Sequence, residues 1–175
     1  MKTETKQNGL ASALLLLSLL GRLLPHPANV TPVGAVSLVG GAKLQQFWRW
    51  VVPFFAVALS DYFLGWSFAS LFVYASFAVN ILLGSRIGTS NRYLKLGALS
   101  LVGSLQFFLL TNFGVWMEGV LYAKTFGGLV QCYTMALPFL SNTLLGDLCW
   151  SFGLFTLIDR GQVWLQKRTL QSATL

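Results

Sequence analysis

The chain has 175 residues, 55% of them hydrophobic and only 10% charged, with a mean hydropathy of +0.66. A soluble domain is about one-quarter charged, so this chain lacks the polar surface that keeps a domain in water; the expected class is an all-α integral membrane protein with one transmembrane domain over residues 1–175. The net charge of +7 comes from twelve Lys and Arg scattered between apolar runs, which excludes nucleic acid as a partner and fits the positive-inside rule.

Lys2 and Lys6 precede "LASALLLLSLL", the outline of a signal peptide. Arg22 and "PHP" follow without a small-residue cleavage site, so the run reads as a retained first span. Six crossings are expected, at about 9–24, 32–44, 47–65, 68–86, 94–115 and 138–158. The run 126–137 is either a seventh span or a helix at the surface. Charge decides. With six spans and both termini cytoplasmic, the inner segments carry Lys2, Lys6, Lys43, Arg49, Arg86, Arg92, Lys95, Arg160, Lys167 and Arg168, whereas the outer ones carry only Arg22 and Lys124. A seventh span would put Arg160, Lys167 and Arg168 outside. Residues 117–137 are therefore expected as an outer loop with a short interfacial or re-entrant helix before the last span.

Between the first two spans lies "RLLPHPANVTPVGA", which holds three prolines and the one histidine of the chain. The second span has about 13 residues and reaches roughly 20 Å, short of a full crossing. The link before it then lies below the outer surface, where irregular backbone persists only if protein buries it or it lines a cavity. Thr31 is a good N-cap and Pro32 suits a first helical turn, so the free N–H groups of this helix are expected to face a cavity.

Hydrogen-bonding side chains collect toward the same outer side: His26, Asn29, Thr31, Asp61, Asn112, Trp116, Glu118 and Tyr122. Apolar walls with a few placed polar groups suit a small-molecule site. Each residue has a plainer role too. His26 can bond a backbone carbonyl, Trp116 can belong to an aromatic belt, and Asp61 can be a surface acid rather than a partner of Arg22 or His26. Asp147, in "NTLLGDLCW", falls near the middle of the last span, where a charge needs a partner. A ligand group, a proton site, and a structural bond to Asn80, Gln106 or Arg22 all remain open.

Small residues such as Ser37 and Gly41, or Gly97, Ser100, Gly103 and Ser104, mark close helix packing or a face for a membrane partner. Cys132 and Cys149 have no metal-binding spacing and read as two buried free thiols; no metal or other cofactor is expected. The chain has no H-E-x-x-H, G-x-S-x-G or P-loop, so an enzyme is not the expected class.

"RLLPHPANVTPVGAVSLVGGA", "LSDYFLGW", "VYASFAVN", "TNFGVW", "YAKTFGGLVQCYTMALPF" and "NTLLGDL" occur in this order. With these motifs the chain resembles an uncharacterised family of small bacterial integral membrane proteins over most of residues 20–150. That family distantly resembles the substrate-binding S components of energy-coupling-factor (ECF) vitamin transporters. The second resemblance rests on size, six spans and an outward polar cluster. It implies a six-helix, S-component-like bundle in the inner membrane that binds a vitamin or its precursor from outside. Its implied partners are a transmembrane coupling subunit and ATPases. The first span, "GLASALLLLSLLG", departs from the A-x-x-x-A docking motif of S components.

The function expected is a membrane-embedded substrate-binding component for uptake of a small metabolite. A solitary proton-coupled transporter using Asp147 or Asp61 is the alternative, followed by an intramembrane lipid-modifying enzyme and a structural subunit.

Overall fold

The computed structural model describes residues 2–173. Among them are six helices and no strand: α1 Lys2–Leu23, α2 Val33–Lys43, α3 Gln46–Leu64, α4 Ser70–Gly84, α5 Arg92–Glu118 and α6 Phe126–Ala173. The side chains of Lys2 and Arg168, counted above among the inner charges, lie outside the described residues.

The short α2 is the axle of the fold. Its residues Val33–Gly41 are all buried, and it contacts each of the other five helices. Those five stand around it in the order α1, α3, α4, α5, α6, each packed on the next. The ring is open at one seam: among the described residues the backbones of α1 and α6 stay apart, and a groove of about 530 Å³ runs there past Gly9, Leu10, Ile158 and Gly161.

Backbone proximity sets the tightest of these contacts. A Cβ on Gly84 of α4 would collide with the Leu38 carbonyl oxygen of α2, and one on Gly41 of α2 with the Ile81 carbonyl oxygen. Only paired glycines let the two helix backbones touch, which is how small residues act at such crossings. The main apolar cluster follows the axle from Ala35 and Val36 to Leu44, with Ala11, Leu14, Leu38, Val39, Val52, Leu96, Leu154 and Phe155. Beside it, Asp159 of α6 accepts from Lys43 of α2 and pairs with Arg92 of α5 at 3.1 Å, joining three helices.

The boundaries of α2 to α5 fall within three residues of the expected runs, but α1 begins at residue 2 rather than 9, and α6 ends at residue 173 rather than 158 and also starts earlier. Residues 126–137 are not a separate interfacial or re-entrant helix: they begin α6, which runs 48 residues through Pro138. At its start α6 packs on the end of α5, where Cys132 Sγ reaches Asn112 O at 3.4 Å. Further on, Ser104 meets Asp147 and Arg92 meets Asp159. From Ser104 to Asn112 α5 rises about 12 Å, whereas α6 rises about 22 Å from Cys132 to Asp147. The excess means that α6 bows away from α5 across Pro138, a residue that removes one helical hydrogen bond and favours a bend. The other thiol differs from expectation as well, since Cys149 is exposed and only Cys132 is buried.

By length and composition α5 can cross a membrane; α2 and α4 are shorter apolar helices.

Candidate functional site

A cavity of about 230 Å³ opens where the 24–32 link meets the ends of α1 and α3 and the middle of α4, α5 and α6. Its wall is made by Arg22, His26, Asn29, Thr31, Gly34, Leu64, Phe77, Phe107, Thr143 and Asp147.

Local chemistry shapes the link. Leu24 N bonds Leu20 O to close α1, and prolines 25 and 27 bar further helix. Residues 27–30 form a turn with Val30 N bonded to Pro27 O at 3.0 Å. Asn29, third in that turn, has φ +63°, a left-handed conformation that Asn tolerates better than most residues. Gly21 has no Cβ, and the Pro32 ring occupies that space against α1. Pro32, not Thr31, stands at the cap of α2, with helical dihedrals and its carbonyl bonded to Val36 N at 2.7 Å. The Thr31 side chain makes no capping bond and lines the cavity. Asn142 Nδ2 donates to Ala28 O at 3.1 Å, which fastens the link to the bowed part of α6.

His26 Nδ1 lies 2.7 Å from Leu24 O. A carbonyl oxygen only accepts, so Nδ1 carries the proton and the neutral ring keeps Nε2 as an acceptor. Arg22 Nη2 donates to Asp61 Oδ1 at 2.7 Å, and Tyr74 Oη donates to Asp61 Oδ2 at 3.2 Å. Asp61 therefore stands behind the cavity wall as the partner of Arg22. Arg22 Nε is buried without a hydrogen-bond partner.

Asp147 is 7% exposed. Ser104 Oγ donates to its Oδ2 at 2.7 Å, a partner different from Asn80, Gln106 and Arg22, the three considered from sequence. Among the described residues the other oxygen, Oδ1, accepts no hydrogen bond, and a Cβ on Gly34 would collide with it. That glycine lets the first turn of α2 approach the carboxylate, and the positive end of the helix dipole favours a negative charge there. Asn80 and Gln106 instead bond each other: Gln106 Nε2 donates to Asn80 Oδ1 at 3.0 Å and to Ser76 O at 3.1 Å.

The structure thus gathers His26, Asn29, Thr31 and Asp147 around one cavity with Asp61 behind it. The remaining candidates lie elsewhere. Asn112 Nδ2 bonds Phe108 O on its own helix, Trp116 Nε1 closes the 119–125 loop onto Ala123 O, and Glu118 accepts from Phe68 N. Tyr122 is half-buried in that loop. None of these four lines the cavity. Sequence reasoning had no signal for Phe77 and Phe107, two phenylalanines among many. Thr143 was legible, because it precedes Asp147 by four residues and so shares its helix face. Among the described residues no group of three or more His, Cys, Asp or Glu is placed to hold a metal ion.

A family model described as "Family of unknown function (DUF6580)" matches residues 2–169. The chain belongs to that family. No curated protein and no solved structure matches it. The DUF6580 match covers five helices whole and α6 up to residue 169, and with them every residue of the cavity wall.

Proposed function

We propose that this chain is a membrane-embedded binding component for the uptake of a small metabolite, such as a vitamin or its precursor, with the cavity open to the outer face of the inner membrane. The observation that carries the reading is the cavity itself. It is a small concave space with apolar walls, a guanidinium, a carboxylate and a few neutral hydrogen-bonding groups, the usual anatomy of a ligand site.

The membrane setting is supported by how polarity is distributed. Leu16, Leu20, Phe55, Phe63, Leu71, Leu82, Leu105, Leu145 and Leu157 are exposed, while Ser18, Ser37, Ser76, Asn80, Ser104, Asp147 and Ser151 are buried. Burying the polar groups and exposing the large apolar ones is unfavourable in water and favourable in lipid. The rise of α5 is about 40 Å, enough for a hydrocarbon core of about 30 Å. The basic residues favour cytoplasmic termini. The chain has no P-loop of its own, so energy for uptake would come from a coupling subunit with ATPases or from an ion gradient.

Native mass spectrometry of the protein purified gently from its own host tests the reading. A stoichiometric small-molecule adduct is the expected result. A clean apo mass, unchanged after incubation with a panel of vitamins and their precursors, refutes it.

Proton-coupled transport is a second reading, and it draws on one observation. Asp147 is a buried acid whose neighbours Ser104, Ser100 and Ser151 continue a polar track between α5 and α6. It predicts pH-driven uptake in proteoliposomes without ATP that Asp147→Asn abolishes.

A further inference from the structure

We propose that the ligand of this cavity is a small, flat organic base that presents N–H donors to Asp147 and rests an apolar ring on Phe77 and Phe107. The inference builds on the binding reading above and names its ligand class.

Charge accounting comes first. Arg22 is matched by Asp61 at 2.7 Å, and the second oxygen of Asp61 is taken by Tyr74. Asp147 has no such match. Among the described residues its one hydrogen bond comes from a neutral hydroxyl, Ser104, to Oδ2, and none reaches Oδ1. The cavity wall therefore carries one uncompensated carboxylate that is more than nine-tenths buried. A charge in that setting calls for a partner of opposite sign or strong donors. An anionic ligand would add a second negative charge beside it, whereas a protonated amine or amidine would complete the pair.

Two other polar groups of the wall can accept from such a ligand, while Arg22 Nε and the Thr31 hydroxyl can donate to a ring nitrogen or carbonyl on it. His26, with its proton on Nδ1, offers Nε2 as an acceptor, and the carbonyl oxygen of the Asn29 side chain is an acceptor as well. The apolar wall has a suitable form. The Phe77 and Phe107 rings lie 5.6 Å apart with 31° between their planes, and Leu64 completes the lining. Aromatic faces attract cations as well as flat rings. Size sets the last bound. A volume of about 230 Å³ equals roughly eight water molecules and falls below the range of drug-sized sites, so one ring with one or two substituents fits.

Three probes of one shape isolate the charge: benzamidinium, benzamide and benzoate. Their affinities are measured by isothermal titration calorimetry on the full chain in lipid nanodiscs. Benzamidinium should bind at least about tenfold more tightly than benzamide, with benzoate the weakest. Asp147→Asn, which keeps an acceptor for Ser104, should reduce the benzamidinium-to-benzamide ratio to about threefold or less. Where that variant does not fold, the order of the three probes on the unaltered chain decides alone. Benzoate or benzamide equalling benzamidinium, an unchanged ratio in Asp147→Asn, or no binding of benzamidinium each overturns the inference. A neutral or acidic metabolite as the native adduct would also overturn it, while the binding reading would stand. Absence of both the adduct and benzamidinium binding would remove both.

Discussion

Asp61 joins three helices by its two oxygens, since Arg22 belongs to α1, Tyr74 to α4 and Asp61 itself to α3. The Arg22 and Asp61 side chains are 19% and 9% exposed, so the pair is mostly removed from solvent. Opposite charges at 2.7 Å attract by about 6 kcal/mol at an effective dielectric constant of about 20, before the cost of desolvation is counted. That cost offsets much of the attraction, but breaking the pair from one side leaves the other charge buried. Arg22→Met or Asp61→Leu alone should therefore destabilise the fold by about 3 kcal/mol. The double variant removes both charges and should cost distinctly less than the two singles together, with a coupling of about 2 kcal/mol. Reversible unfolding in mixed detergent micelles, run as a double-mutant cycle, measures this. Additivity of the singles within about 0.5 kcal/mol would show that the pair contributes nothing, and the account of the cavity wall would fail with it.

Other perturbations give further checks. Gly84→Ala should destabilise by about 1–3 kcal/mol, because its Cβ meets the backbone of α2, while Gly88→Ala, with open space around it, should stay within about 0.5 kcal/mol; the same unfolding assay compares them. Asn29→Gly should preserve stability because the turn needs φ +63°, whereas Asn29→Val should cost about 1–2 kcal/mol; equal stability of the two would contradict the left-handed turn. With the native adduct as ligand, His26→Ala should weaken binding by about tenfold and Asn112→Ala should leave it unchanged. The reverse order would place the site on the α5 side of the outer loop.

Much of this arrangement is legible in the chain, and the parts that are not share a cause. Hydropathy gives the depth of a residue along a helix but not its rotation about the axis. His26, Asn29 and Thr31 were found because prolines fix a short link whose depth follows from the shortness of α2. Asn112 and Trp116 stand on the wrong side of α5, and Trp116 also lies about two and a half turns beyond the cavity. Relative to Phe107, which lines the cavity, they are turned by about 140° and 180° at 3.6 residues per turn. Glu118 shares the Phe107 side but sits three turns beyond it. The start of α6 was misread for a different reason. The charge count argues against a seventh crossing, but it does not separate a helix at the surface from the first turns of a longer α6, within which Pro138 removes only one hydrogen bond. Packing partners are nonlocal, so Cys132 against Asn112 and Phe108 against Tyr133 are invisible in one sequence.

The seam between α1 and α6 makes the fold a cask in which two neighbouring staves stand apart along their backbones. A closed ring resists prising because every stave is braced on two sides. In an open one the two end staves have one neighbour fewer: α1 is held by α2 and α3, and α6 by α2 and α5. At the cavity end the gap is crossed by the link, whose Ala28 carbonyl is hooked by Asn142. The loop that walls the cavity is thus also the buckle of the cask. A ligand that touches His26, Asn29 or Thr31 would therefore press on the same strap that Asn142 fastens to α6.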